Sequence, residues 1–261
     1  MNSLWLRIRP YLSIFVRHMR ISFLEAASNY EGTALGILWI PVGTVCFSMI
    51  IGFVLRASGT MAPFEFFLYV LSGYVTWNFI SDTIVRSTRI IQSRMDFAVH
   101  NNLGLGGLFG KVLADRGIEF GLEFLTLALA VLILQPWSYG PQIFLLVILL
   151  PMLAITSLGL SYLVNLVTLF FPDLGNLIST AMRLMLFATP IFWTVESGSD
   201  ARVWLEALNP AAYYLMMMRQ SFGLEAFVLH EWLVGGVITL IVAVVGAYAY
   251  RRSASFVKNL R

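Results

Sequence analysis

The chain has 261 residues, of which 59% are hydrophobic and only 12% charged, with a mean hydropathy of +0.80 and a formal net charge of +3. Soluble domains are about 45–50% apolar and about 25% charged, so these figures exclude a disordered chain, a disulfide scaffold and a water-soluble globule. They predict an all-α integral membrane protein. Its single cysteine, Cys46, lies inside an apolar run, so no intrachain disulfide can form.

Residues 1–34 form a basic amphipathic stretch. Leu4, Ile8, Tyr11, Leu12, Phe15, Met19 and Phe23 recur at helical spacing, with Arg7, Arg17 and Arg20 off that stripe. The pattern fits a helix lying in the membrane interface, bent at Pro10, and fits equally a helix packed on another subunit. The first long apolar run starts only at Leu35, so no cleavable signal peptide is expected. Six apolar runs follow: Leu35–Leu55, Phe64–Ile84, Ile118–Leu134, Ile143–Phe171, Leu174–Trp193 and Leu233–Tyr250. A spanning helix takes about 20 residues, and each run reaches or nearly reaches that length. Pro151 falls after the first two turns of the fourth run, where neighbouring helices tolerate a kink. The expected organisation is a cytoplasmic interface segment over 1–34, a six-helix transmembrane domain over 35–250 and a basic tail over 251–261.

Thirteen of the seventeen Lys and Arg fall in the N-terminal segment, in residues 85–117 or in the tail. The positive-inside bias then places both termini in the cytoplasm. Two connections are longer than turns. Residues 85–117 carry mixed charge and the glycine cluster Gly104–Gly110, which is expected to be a flexible or tightly turned loop. Residues 194–232 hold five acids (Glu196, Asp200, Glu206, Glu225 and Glu231) on the external side, and the apolar piece Ala211–Met218 is too short to span. A re-entrant or interfacial helical pair fits that length. No internal repeat is evident, which counts against carriers built from inverted halves.

Enzyme signatures fail by inventory. The three histidines are His18, His100 and His230, and His230-Glu231 lacks the second histidine of a zinc-protease motif. Gly159-Leu-Ser161-Tyr-Leu163 lacks the closing glycine of a nucleophile elbow. Gly110-Lys111 has Leu105 where a phosphate loop needs glycine, so no ATP site of that type is expected on this chain. Intramembrane charge is costly and usually functional. Glu119 and Glu123 lie near the start of span three, where a helix N-terminus favours negative charge and Arg116 is in reach of Glu119, so a structural role is expected. Arg183 stands nine residues beyond Leu174 in span five, one turn from Phe187, and must face either a water-filled path or an internal salt bridge. Aromatic residues make up 14% of the chain. Many belong to interfacial belts, but Trp39, Phe187, Phe192 and Trp193 in spans one and five, with Tyr213 and Tyr214 outside, could stack on sugar rings or line a path for hydrophobic drugs.

Four motifs carry a family resemblance: Leu35-Gly36-Ile-Leu-Trp39 at the opening of span one, Phe171-Pro172-Asp173 before span five, Thr189-Pro190-Ile191-Phe192 at its end, and Asn209-Pro210 followed by Arg219. In that order, from about Tyr11 to Arg252, the chain resembles the membrane (permease) subunit of ABC-type polysaccharide exporters of the capsule and O-antigen export family. The resemblance implies a homodimer in the bacterial inner membrane, with spans one and five of each protomer lining a channel. It implies a transport path including Trp39, Arg183, Phe187, Phe192 and Trp193, and external re-entrant helices including Asn209, Pro210, Tyr213, Tyr214 and Arg219. It also implies a coupling helix within Arg94–Asn102 (Arg94, Asp96, His100 and Asn101) that docks on one of two copies of a separate ABC ATPase, and an interface helix over Arg9–Arg20. ATP and Mg would sit on that partner, with no cofactor or metal and no catalysis on this chain. The substrate would be a lipid-linked polysaccharide, with a periplasmic or outer-membrane export partner as a further component and no nucleic acid. Alternatives are an exporter of drugs or teichoic-acid-type polymers, a secondary carrier or an intramembrane transferase. Tyr30-Glu31-Gly32 departs from the basic residues that relatives often carry before the Leu-Gly-x-x-Trp stretch, and the glycine-rich Leu103–Gly110 departs from their more ordinary loop.

Overall fold

In the computed structural model, residues 19–54, 61–100, 104–194 and 200–258 are described, with the isolated positions 9 and 16. Most of Arg9–Arg20, and Asn101, lie outside the described residues. The described residues are helical: α1 (residues 19–28), α2 (Trp39–Val54), α3 (Pro63–Ser87), α4 (Ile90–His100), α5 (Leu105–Leu134), α6 (Leu146–Phe170), α7 (Leu174–Ala188), α8 (Asp200–Leu208), α9 (Pro210–Ser221) and α10 (Leu229–Lys258). Among them, four stretches are long and apolar enough to cross a membrane: Gly36–Val54, Leu105–Leu134, Pro141–Phe170 and Leu229–Ser253.

The other two expected spans differ from these in kind. α3 has 25 residues, but Ser72, Thr76, Asn78 and Thr83 interrupt its apolar run. It is the most enclosed helix, buried at nearly every position from Phe66 to Phe79. One side (Leu68, Leu71, Val75, Phe79) packs with Leu127, Val131, Leu149 and Met217, and the other (Phe66, Tyr69, Val70, Trp77) with Ile191, Phe192 and Leu215. Its hydroxyls are satisfied by its own carbonyls: Ser72 donates to Tyr69, Thr76 to Ser72 and Thr83 to Phe79, at 2.6–3.0 Å. In lipid such bonds must close inside the protein. α7 is only fifteen residues, about 22 Å at 1.5 Å per residue. The expected run to Trp193 breaks earlier, after Ala188.

The glycine cluster is not a loop. Gly104 caps α5, and Leu105–Gly110 form its first turns. Leu105, Leu108, Phe109 and Val112 are buried against Ile90, Ile91 and Tyr162. That packing overrides the low helix propensity of glycine, worth about 1 kcal/mol per residue, and α5 begins thirteen residues before the apolar run that marks it in sequence. Asn165 and Thr168 of α6 hold the turn between α3 and α4, through Ile91 N–H (3.2 Å), Gln92 (3.0 Å) and the Thr88 carbonyl (2.7 Å). Lys111 of α5 pairs with Glu25 of α1 at 2.8 Å, and the Tyr162 and Ser253 hydroxyls meet at 2.7 Å. α1, α4 and the last turns of α10 therefore gather at one end of the bundle.

Lipid tails are as apolar as leucine, so helices in a bilayer associate through close packing and hydrogen bonds rather than by expelling water. α6 and α10 show both. A Cβ on Gly246 would stand 3.0 Å from the Gly159 Cα, and one on Gly159 would stand 2.7 Å from Val242 Cγ1 and 3.0 Å from its carbonyl oxygen. Nearby, the hydroxyls of Thr156, Tyr214 and Thr239 join α6, α9 and α10 at 2.8–3.2 Å. Gly159→Ala should overpack this crossing and destabilise the fold by about 1–3 kcal/mol. Thermal unfolding in detergent should show the loss, whereas Gly236→Ala, with nothing within 4 Å of its Cβ position, should leave the transition unmoved.

Candidate transport site

α7 stops where proline removes an N–H and pushes the preceding residue out of helical geometry: Thr189 is extended at φ −91°, ψ 143°. The Pro190 carbonyl, beyond the helix end and so without a helical partner, is not left bare. Arg219 Nη2 donates to it at 2.6 Å and the Tyr69 hydroxyl at 3.2 Å. Arg219 sits in the last turn of α9, 1% exposed, with its guanidinium carbon 3.4 Å from the centre of the Tyr69 ring. A second donation reaches the Tyr69 carbonyl at 3.4 Å, and Glu225 balances the charge at 3.5 Å. Asn209 ties the same knot from the start of α9: its amide donates to Thr189 Oγ1 at 2.7 Å, and its side-chain oxygen caps the Ala211 N–H at 3.0 Å. Pro210, at the first helical position, fits the helix start. Thr189, Pro190, Asn209 and Arg219, far apart in sequence, thus form one clamp holding the end of α7 to α3 and α9.

The residues expected along a transport path divide sharply by exposure. Phe192 is buried, with its ring 6.2 Å from Phe47 and 6.0 Å from Phe187. Trp193 is half-buried: its indole N–H donates to the Phe187 carbonyl at 3.1 Å, and its own carbonyl accepts from Tyr69 at 3.0 Å. Trp39 and Phe187 are exposed, at 46% and 65%. Arg183 is exposed between Leu184 and the rest of the α7 stripe, and it pairs with no acid among the described residues. Of the external residues, Tyr214 is buried in the hydroxyl cluster, while Tyr213 is half-buried and donates to the Ala207 carbonyl at 2.9 Å. At the start of α2, Gly36 has φ +56°, a left-handed value that glycine accepts freely, which accounts for the glycine of that motif.

At the other end, α4 buries Ile90, Ile91 and Ala98 and exposes Gln92, Ser93, Arg94, Asp96 and His100. Arg94 pairs with Asp115 at 2.7 Å, and the His100 ring nitrogen bonds the Asp96 carbonyl at 2.7 Å. Arg116 pairs with Glu119, as the sequence suggested, and also with Asp82 at 3.2 Å, although it is almost wholly buried. The sequence reading missed Glu123 as a junction. It is buried, accepting from Thr44 of α2 at 3.0 Å and Asn78 of α3 at 2.7 Å. Its spacing from Arg116, two turns along one helix face, was the available signal, but Thr44 and Asn78 gave none. Gln220 was missed too: it accepts from the Trp232 indole at 2.7 Å and donates to Glu231, fastening α9 to α10. No three His, Cys, Asp or Glu side chains gather into a metal-holding group among the described residues.

Arg219→Ala should cost about 3–5 kcal/mol, the range for removing one partner of a buried charge network, read as lost folded yield in detergent. Arg219→Lys should not restore it, because an ammonium cannot lie flat on the tyrosine ring while reaching two carbonyls. Arg183→Ala, on an exposed face, should leave thermal unfolding within about 0.5 kcal/mol. Burial holds the half-buried Glu206 carboxyl above the usual carboxylate range, with Arg219 opposing and Glu225 reinforcing. The folded chain then binds that proton more tightly than the unfolded chain, so this contribution to stability is present at acid pH. It is lost as pH rises from the ordinary value through the raised one. A midpoint-versus-pH series on Glu206→Gln should be flatter than the unmodified chain over that range.

No protein-family model matches the chain. It is 24% identical over 194 residues to the O-antigen export system permease protein RfbA of Myxococcus xanthus, covering 71% of this chain and 72% of that relative. It is 22% identical over 201 residues to a protein of the same name from Klebsiella pneumoniae, covering 74% and 75%. Over 71–74% of its length, the chain is thus similar to permease proteins of O-antigen export systems, in agreement with the resemblance its motifs carry.

Proposed function

We propose that this chain is the channel-forming membrane subunit of an ATP-driven exporter that moves a lipid-linked polysaccharide, O-antigen or capsular, across the bacterial inner membrane. The similarity to O-antigen export permeases supports the substrate class. The observation that carries the working geometry is Arg183, set halfway along an exposed helix face without an acidic partner among the described residues. An arginine facing lipid alone is costly, and such residues face a protein interior or a water-filled path. A second copy laid against α2 and α7 would turn Trp39, Arg183 and Phe187 inward, with α3 and α7 as the second and fifth of six spans in each protomer. The channel would then offer a cation for the pyrophosphate or phosphate of a lipid-linked head, and aromatic faces for the sugars.

In this reading both termini are cytoplasmic, and α4 is the coupling helix that docks on the separate ATPase through Arg94, Asp96 and His100, with Asn101, outside the described residues, following it in sequence. ATP binding closes the two ATPase copies, and α4 passes the motion into the bundle through Asp115 and the α3–α4 turn. α8 and α9 are the external re-entrant pair, with the Arg219 clamp fixing their depth. This chain does no covalent chemistry, and a periplasmic or outer-membrane component would carry the polymer onward. Arg183→Ala should abolish surface polysaccharide while the ATPase still copurifies in unchanged ratio. Normal surface polysaccharide in that variant would remove Arg183 from the transport role.

A further inference from the structure

A second feature lies away from the α2–α7 face. Where α6 and α10 separate below the Gly159–Gly246 crossing, they leave a groove of about 400 Å³ whose third wall is the start of α5. Phe109, Tyr162 and Tyr250 wall it with mutually edge-on rings, 5.2 Å apart between centres for both Phe109–Tyr162 and Tyr162–Tyr250. Its volume falls within the range of small-molecule sites. From Ala243 to Arg251 it runs eight residues along α10, about 12 Å.

The chemistry of the two ends differs. The body is lined by apolar and aromatic residues, and the mouth carries Arg251 with no acid among the lining residues. Arg252, beside it, is turned aside onto Tyr248, with Nε 3.5 Å from the hydroxyl. Arg251 forms no ion pair with any described acid. The start of α5 reaches the mouth at Gly106 without a side-chain cap, adding the partial positive charge of a helix N-terminus. A basic segment such as residues 1–18, with Arg7, Arg9 and Arg17, is repelled by this mouth and is a poor occupant.

We propose that the α5–α6–α10 groove binds one acyl chain of an anionic membrane phospholipid, with its phosphate at Arg251. Occupation would fill the gap between α6 and α10 and brace the end of the bundle where α4 and α10 meet α5. The inference requires only that the chain resides in a bilayer. It is independent of what the chain transports.

Native mass spectrometry tests it on the full-length protein, delipidated and then equilibrated with equal amounts of phosphatidylglycerol and phosphatidylcholine bearing identical acyl chains. The unmodified chain should retain phosphatidylglycerol in preference. Arg251→Gln should lower that retention about fivefold, the factor equivalent to about 1 kcal/mol per basic residue near an anionic lipid, while Arg252→Gln should change it little. Ala247→Phe should block both lipids. Because Arg251 is exposed, its variant should fold normally and keeps the test valid if the Ala247 variant does not. Equal retention of the two lipids, or retention unaffected by Arg251→Gln, overturns the proposal. So does a phosphatidylglycerol adduct that appears only after residues 1–18 are deleted, because the groove would then belong to that segment.

Discussion

The guanidinium of Arg219 is the point on which the architecture turns. A bilayer offers no water to a carbonyl left beyond a helix end, and an unsatisfied polar group there costs several kcal/mol. The break at Thr189-Pro190 is therefore tolerable only because a donor is brought to it. Arg219 supplies that donor from α9, and it is itself buried only because Tyr69, two carbonyls and Glu225 surround it. The break in α7, the depth of α9 and the face that α3 turns toward them are consequently one decision. Removing any member leaves the others with a buried debt of charge or hydrogen bonding.

The same logic repeats in each layer of the bundle with different chemistry. Midway along, neutral hydroxyls suffice: Thr156, Tyr214 and Thr239 satisfy one another. Toward the end that holds α4, the charges packed between helices are paired: Lys111 with Glu25 and Asp115, Arg116 with Asp82 and Glu119, Arg94 with Asp115. Between these layers, Glu123 joins three helices through Thr44 and Asn78. Since apolar contact in lipid gives little net drive for association, these linkages decide which helices are neighbours. They bind α3, α5, α6, α9 and α10 into one block, while α7 touches that block mainly along α3 and through its clamped end.

How much of this was legible follows from what periodicity records. The apolar runs located α2 and α6 closely, because a lipid-facing helix must be apolar over its length, and they fell short of both ends of α10. They missed the start of α5, where Gly106 and Gly107 and the charged Lys111 and Arg116 break the hydropathy pattern although the backbone stays helical. Hydropathy measures what lipid tolerates, and those turns face protein instead. The Thr189-Pro190, Asn209-Pro210 and Arg219 motifs were visible as family markers, but their mutual contact was not, since the bond from Arg219 to Tyr69 joins residues 150 positions apart. Glu123 was read as favoured by its own helix terminus; its partners lie on two other helices. Gly36 was legible only as part of a family motif, because its left-handed backbone is set by the chain's turn into α2 and leaves no mark in hydropathy.

The contrast between Arg219 and Arg183 carries the functional argument. Both stand on helices of this small bundle, and one is enclosed by four partner groups while the other meets none among the described residues. The enclosed arginine stabilises the fold and, at 1% exposure, lies out of reach of a passing anion. The exposed one forms no ion pair with any described acid, and in the proposed dimer a second copy would cover it. α7 is held rigidly at Thr189 and Pro190 on one side and presents Arg183 and Phe187 on the other, so the clamp fixes the height and rotation at which that cation is offered. A site of this kind binds without gripping. In the proposed transport role, a single guanidinium would attract a phosphate and aromatic faces would bind successive sugars with little sequence preference, as a polymer that must keep moving requires.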